Sequence, residues 1–230
     1  MKAMILAAGV GERMRPLTDH TPKPLLRVGG TPLIEHHIVR LAEAGFTELV
    51  INVSHLAQQL MDYCADGSRW GVSIEYSTEE EPLETAGGIF HALPLLGDKP
   101  FLIVNGDIWI DYPFEKLSGY QPETPETAHL VFVGNPPQHP RGDFWLDEDG
   151  WTRELRPGAI GVTYAGVGVY TPEFFAGMQP GKMALRPLLD AAIGCGCLGG
   201  ELHLGEWEDV GTPQRLQMLD AALCAAGNQA

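Results

Sequence analysis

Cysteine is scarce in this chain: four in 230 residues, Cys64, Cys195, Cys197 and Cys224. That density excludes a disulfide framework. Cys195 and Cys197 form a close pair, but no second pair stands near them, so a structural zinc site is not indicated. Free thiols in a reducing cytoplasm are expected instead. Long apolar runs are missing too. None approaches the roughly 18 residues needed to cross a bilayer, which argues against a membrane partner. The opening MKAMILAAGV looks faintly like a signal peptide, yet it runs straight into Gly11-Glu12-Arg13 with no small-residue cleavage pattern. A buried first strand suits it better. Cations are few, 15 Lys and Arg against 30 Asp and Glu, for a net charge of -15. A nucleic-acid partner is thereby excluded, because a phosphate backbone demands a basic face. Internal repeats, low-complexity tracts and flexible linkers are absent as well.

What is present suits one globular domain over residues 1–230, with 44% hydrophobic residues and room for a substantial core. The first half alternates strand and helix signals. Lys2 to Ala8 reads as a buried strand, followed by a glycine-rich loop. Thr31-Pro32 looks like an N-cap with proline at the first helical position, opening a helix to about Ala44 that Gly45 ends. Glu48 to Val53 is the next strand, Leu56 to Cys64 a helix, and Val72 to Tyr76 a short strand. Thr85 to Leu93 is a helix and Phe101 to Asn105 a fully buried strand. This rhythm predicts a parallel sheet covered by helices on both faces. The second half holds short strands at Ala128 to Val133, Phe144 to Leu146, Trp151 to Arg156 and Tyr164 to Tyr170, a mixed extension of the sheet. Helices are expected at Pro113 to Leu117, Lys182 to Ala192 and Thr212 to Ala226. In such folds the ligand crevice lies at the carboxyl ends of the strands.

The loop Leu6-Ala7-Ala8-Gly9-Val10-Gly11-Glu12-Arg13-Met14-Arg15-Pro16 falls there. Glycines after a buried strand let backbone N–H groups approach phosphate oxygens. Taken by itself Gly-x-Gly is equally a tight turn. It is no Walker loop, lacking Gly-Lys-Ser/Thr, and it lacks the third glycine of the dinucleotide fingerprint. Arg13, Arg15, Lys23 and Arg27 lie close together in an otherwise acidic chain. Pro22 and Pro24 clamp Lys23 in a rigid segment, as suits a lysine aimed at phosphate.

LAAGVGERMRPLT, TPKPLL and VGGTPLI resemble the N-terminal signature of the sugar-1-phosphate nucleotidyltransferases. The resemblance continues through Glu84-Thr85-Ala86-Gly87-Gly88, Asn105-Gly106-Asp107, Gly168-Val169-Tyr170 and Trp207-Glu208-Asp209-Val210-Gly211-Thr212-Pro213, in order, over nearly the whole chain. It implies a Rossmann-like three-layer αβα sandwich around a mixed, mainly parallel sheet. It also implies a nucleotide-binding half over residues 1–110 and a sugar-phosphate-binding half over 111–230. Longer relatives carry a C-terminal β-helix; no room for one is left here.

The resemblance further implies roles. Arg15 and Lys23 are the catalytic cations. Leu6, Ala7, Ala8, Gly9, Gly11, Glu12, Arg13, Glu79, Gly87, Gly88 and Asn105 bind the nucleotide, whereas Glu80 and Glu81 read as a solvated run. Asp107 and Asp209 hold Mg²⁺, a cation that accepts two carboxylates and fills its remaining positions with water and phosphate. On the sugar side Gly142, Glu154, Arg156 and Gly166 are the candidates. Arg156 stands where the family carries a lysine, and Gly166 leaves room beside the sugar. The short length and the Arg156 replacement resemble most the enzymes that join UTP to N-acetylmuramate 1-phosphate in peptidoglycan recycling. Muramic acid adds a lactyl carboxylate, and Arg153, Arg156 and Arg186 are the cations available to meet it. Mannose-1-phosphate guanylyltransferase is the next reading, then the glucose and N-acetylglucosamine uridylyl- and thymidylyltransferases. Degenerate copies that only bind effectors have usually lost a catalytic cation or a metal carboxylate, and here all four are present. The oligomer is left open between monomer and dimer.

Overall fold

The computed structural model describes residues 1–123 and 126–227. Its strands are β1 (Ala3–Leu6), β2 (Arg27–Val28), β3 (Thr31–Pro32), β4 (Glu48–Val53), β5 (Ser73–Thr78), β6 (Phe101–Asn105), β7 (Ile108–Ile110), β8 (Ala128–Val133), β9 (Phe144–Leu146), β10 (Thr152–Glu154), β11 (Thr163–Tyr170), β12 (Leu198–Leu202) and β13 (Trp207–Asp209). Its helices are α1 (Leu33–Glu43), α2 (Ala57–Cys64), α3 (Glu84–Leu96), α4 (Arg186–Cys195) and α5 (Pro213–Gly227). No helix among the described residues is long and apolar enough to cross a membrane.

Seven strands form the central sheet in the order β12-β8-β11-β6-β1-β4-β5. Every neighbour pair is parallel except those made by β11, which runs against both β6 and β8. Alternation along the strands divides the core between two faces, as a pleat with period two requires. Ala3, Ile5, Leu102 and Val104 face α1 and α2, where Ile34, Ile38, Leu41 and Leu60 cover them. Met4, Phe101 and Ile103 face α3 and α4, against Ile89, Ala92 and Leu189. Both faces are buried, which is why β6 and β8 are almost uninterrupted apolar runs. A third cluster (Met14, Leu26, Val28, Leu33, Val210, Leu216 and Leu219) fixes the N-terminal loop against α5.

Two local expectations are corrected. Thr31 does not cap α1, because Thr31–Pro32 pairs with Arg27–Val28 across a two-residue turn. Gly29 and Gly30 in that turn have φ of +58° and +80°, the geometry that joins two strands tightly. The helix predicted from Lys182 starts only at Arg186, because Met183 donates its N–H to Leu83 O and accepts from Gly87 N–H, holding the segment against α3 instead. The end of α1 is as expected. Gly45 sits at φ +87°, and Phe46 N–H reaches back to Leu41 O, a Schellman closure.

The sheet topology sets the position of the site. β1, β4, β5 and β6 deliver their carboxyl ends to one edge, and the reversed β11 brings its beginning there. β7 leaves β6 after a single turn and pairs with β13, with Asp209 opposite Ile108. The buried His37 on α1 supports that turn, its Nε2–H donating to Ile108 O at 2.9 Å. Burial pushes its pKa down to about 4, helped by the His36 and Arg40 charges and opposed by the Ile108 carbonyl and Asp107. Above about pH 6.5 the ring is neutral in both folded and unfolded chains. As pH falls from there to about 4 the unfolded chain takes up a proton that the folded chain refuses, so stability drops by on the order of 3 kcal/mol and then levels off. Urea unfolding across this range is expected to show a shallower pH slope for His37→Gln than for wild type. Equal slopes would remove His37 as the source.

Candidate active site

The N-terminal loop is built from three successive 3₁₀ turns, Glu12–Met14, Leu17–Asp19 and Lys23–Leu25. Gly11 starts the first in the left-handed region at φ +69°, where a Cβ would lie 2.9 Å from Thr18 Cγ2. Thr18 returns its hydroxyl to Gly11 O at 2.8 Å, and Met14 is fully buried beneath. These contacts leave Lys23 7% exposed, so its charge needs a partner. Its ammonium donates to Asp107 Oδ2 at 2.7 Å.

Asp107 follows β6 through Gly106, whose N–H donates to Leu6 O at 2.9 Å and whose Cβ, if it had one, would lie 2.6 Å from that oxygen. Only glycine lets the two strand ends come so close. Val210 N–H donates to Asp107 O at 2.9 Å, which fixes Asp209 beside it. Asp209 Oδ2 accepts from Arg215 on α5 at 2.8 Å. Among the described residues neither aspartate has a hydrogen bond to its second carboxylate oxygen, Oδ1. Both aspartates line one chamber of about 340 Å³ together with Arg13, Asn105, Tyr164 and Gly166. Beside Asp209, burial pushes the Glu208 carboxyl up; the Arg215 charge opposes the shift and Asp209 adds to it.

A second chamber of about 210 Å³ runs from Asp107 along Leu6, Ala7, Ala8 and Gly9 to Glu79 and the start of α3. Its wall is set by a buried polar chain. Ala7 N–H donates to Asn52 Oδ1 at 2.7 Å, Asn52 Nδ2 donates to Glu79 Oε1 at 2.7 Å, and Leu83 N–H donates to Glu79 Oε2 at 2.9 Å. Asn52 and Glu79 are 4% and 5% exposed, so these bonds are their replacement for water. Gly88 makes room for the chain: a Cβ there would lie 2.6 Å from Glu79 Oε1 and 2.9 Å from Asn52 Nδ2. Gly87 makes room for the Gly181–Met183 backbone in the same way. Glu84 begins α3 at φ +60°, a strained conformation for a residue with a side chain, and one that tends to occur at functional sites.

A third chamber of about 360 Å³ lies beyond Asn105, between Thr85, Asp143, Phe144, Tyr164 and Arg186. Burial pushes the Tyr164 phenol up, so it stays protonated, and its oxygen lies 3.0 Å from that of Tyr170. Asn105 lines all three chambers, so they adjoin around this one side chain and together make up the cleft.

A sequence profile of the nucleotidyl transferase family matches residues 2–145. The chain belongs to this family. N-acetylmuramate alpha-1-phosphate uridylyltransferase of Neisseria meningitidis serogroup B is 52% identical over 225 residues, covering 96% of this chain and 97% of that protein. The protein of the same name from Caulobacter vibrioides is 34% identical over 235 residues, covering 97% of each. A Bacillus anthracis protein provisionally named glucose-1-phosphate thymidylyltransferase, crystallised with sucrose, shares the fold with a TM-score of 0.85 at 21% identity, over 97% of this chain and 95% of that one. The expected Rossmann-like architecture and the nucleotidyltransferase chemistry both hold.

In this nucleotidyltransferase the cleft gathers Leu6, Ala7, Ala8, Gly9, Arg13, Lys23, Glu79, Asn105, Asp107, Gly166 and Asp209. Several expected residues stand elsewhere. Arg15 is exposed and pairs with Asp19 at 3.4 Å, outside these linings, and Glu12 is exposed. Gly166 does line the cleft, but at φ +81° in the β11 bulge its missing Cβ makes room for the Asn105 side chain, which would lie 2.7 Å from that Cβ. Gly142, at φ +73°, packs against Asn135 and Val162. Glu154 and Arg156 line a neighbouring cavity with Trp145, Asp147, Arg153 and Ala159, which shares no residue with the cleft. Sequence reasoning missed Asn52 and Arg215. Asn52 left one trace, a lone amide in the buried run Leu49-Val50-Ile51-Asn52-Val53. Arg215 left none, because its partner is six residues back across a turn. Asn52→Ala removes one acceptor and one donor from a buried chain. The expected cost is about 1–3 kcal/mol, or a drop of roughly 2–12 °C in Tm for a domain of this size, with a raised KM for the nucleotide. An unchanged Tm and KM would mean that water replaces the amide without loss.

Proposed function

We propose that the protein transfers a uridylyl group from UTP to N-acetylmuramate 1-phosphate, with Mg²⁺ as cofactor, in the cytoplasm, as a step in the reuse of peptidoglycan sugars. The observation that carries this is the meeting of Lys23, Asp107 and Asp209 in connected chambers floored by the N-terminal loop. The names of the Neisseria and Caulobacter relatives support the choice of sugar and base.

The donor set fits the metal. Two carboxylates that face one chamber, each with a free oxygen, suit a hard cation that takes its other ligands from water and phosphates. When bound there, Mg²⁺ would neutralise phosphate charge and align the two substrates. The chain's own groups do the rest. Backbone N–H groups of the loop and Lys23 hold the triphosphate, and Lys23 exchanges Asp107 for the α-phosphate. An oxygen of the sugar phosphate attacks the α-phosphorus in line. The bond from that phosphorus to the oxygen leading to the β-phosphate breaks, and pyrophosphate leaves. The attacking phosphate is already ionised at neutral pH, so neither a general base nor a covalent enzyme intermediate is required. Arg15 gives up only an exposed ion pair, worth at most about 1 kcal/mol, in turning toward the departing pyrophosphate.

Purified protein incubated with each nucleoside triphosphate, Mg²⁺ and a panel of sugar 1-phosphates is expected to release pyrophosphate fastest with UTP and N-acetylmuramate 1-phosphate. EDTA should stop the release and excess Mg²⁺ restore it. No release with any pair would overturn the activity, and faster release with GTP and mannose 1-phosphate would overturn the substrate choice. Asp107→Asn and Asp209→Asn are each expected to lower kcat by about a hundredfold or more while circular dichroism stays that of wild type. Retained turnover in either variant would remove that residue from the metal site.

A further inference from the structure

The third chamber has one cation among its described lining residues, Arg186 at the start of α4. Its guanidinium carbon lies 4.6 Å over the Phe144 ring, and its Nε donates to Asp190 Oδ1 at 2.7 Å. The side chain is half exposed, and these two contacts brace the group from one side and one edge. The two terminal nitrogens make no hydrogen bond to any described residue. An arginine held this way presents its open end as a fork that matches a second carboxylate in geometry and charge. The wall beside it is apolar, with Leu185, Leu189 and Ala184 next to the Phe144 ring.

A carboxylate next to a small apolar group is what the lactyl ether of muramic acid carries: one methyl and one carboxylate on a single carbon. The ether is attached at C3, two ring atoms away from the C1 that carries the phosphate. Asp143 and Tyr164 line both the aspartate chamber and the Arg186 chamber. A pyranose lying against them would have its phosphate near Asp107 and Asp209 and its C3 substituent toward Arg186. Arg153 and Arg156 line the neighbouring cavity instead, and Arg153 already holds Asp147 at 2.9 Å.

We propose that Arg186, braced by Phe144 and Asp190 at the edge of the third chamber with its terminal nitrogens unpaired among the described residues, binds the lactyl carboxylate of N-acetylmuramate 1-phosphate and sets the preference for that sugar. This rests on the substrate proposed above. N-acetylglucosamine 1-phosphate differs from the muramate compound only by a hydroxyl in place of the lactyl ether, so the ratio of kcat/KM for the two sugars isolates the contact.

The ratio is measured with UTP and Mg²⁺ for wild type, Arg186→Ala and Arg186→Lys. Wild type is expected to favour the muramate sugar. In Arg186→Ala, kcat/KM for muramate should fall about 10- to 100-fold further than for glucosamine, the range of a charge-assisted hydrogen bond, and mainly through KM. Arg186→Lys should recover part of the preference, since charge is kept and the fork is lost. A loss of equal size for both sugars in Arg186→Ala would make the residue structural and overturn the assignment. So would a preference that survives the alanine intact. A wild-type enzyme that uses both sugars equally well would overturn the substrate choice itself, and the assignment with it.

Discussion

Lys23 and Asp107 are 84 residues apart in sequence and 2.7 Å apart in space. Their contact closes the N-terminal loop onto the end of β6, and the Asp107 backbone in turn carries Val210 and so Asp209. Remove the lysine and a carboxylate in the middle of the cleft loses its cation. Remove the carboxylate and a buried ammonium is stranded, which costs far more than the pair contributes. The same pairing recurs at Asp209 with Arg215. Each candidate metal ligand is therefore held in place by a cation before any substrate arrives. Under the proposed reaction the incoming charges exchange with these pairs, so little new charge has to be buried. That is a form of preorganisation: the orienting cost is met when the chain folds.

The acidity of the chain fits this design. A net charge of -15 would repel an anionic substrate if the charge reached the cleft uniformly. Each chamber instead has its own cation: Arg13 in the first, Lys23 in the second and Arg186 in the third. Such a field works at short range, since charges farther apart than about 8–10 Å are screened at physiological salt. The acidic exterior then serves solubility, while binding depends on a few cations placed at the chambers.

Much of the scaffold was readable from the sequence. β6 and β8 are buried on both faces, so their side chains are apolar almost without interruption, and the ends of such runs are unambiguous. Gly45 and the βαβ rhythm were readable for equally local reasons. The glycines misled, because a glycine motif records that a side chain is excluded without saying by what. Gly88 and Gly166 looked like places for ligand backbone contacts and spare room. They are filled by Glu79 with Asn52, and by Asn105. Thr31 misled for the opposite reason: its capping signal was real, but the Gly29–Gly30 turn claimed its backbone for a strand pair. In each case the deciding neighbour is distant in sequence, as tertiary context often overrides local preference.

The same distinction separates chemistry from selectivity. Asn105 and Asp107 sit at or just past the end of β6 in the seven-stranded sheet, where the backbone is fixed from both sides, and the Lys23 side chain is tied to them through Asp107. The proposed sugar wall is assembled from Phe144 on β9, Tyr164 beside the β11 bulge and the first turn of α4, and β9 and α4 lie outside the seven-stranded sheet. Substitutions there can reshape the third chamber without moving the phosphates. A family whose members differ in sugar and share a reaction needs this division between a rigid phosphate floor and a variable sugar wall. It also explains why the motifs that identify the family cluster at the floor. Arg186, proposed above to choose the sugar, lies in a stretch with no motif, and only the fold brings it into a chamber beside Asp143 and Tyr164.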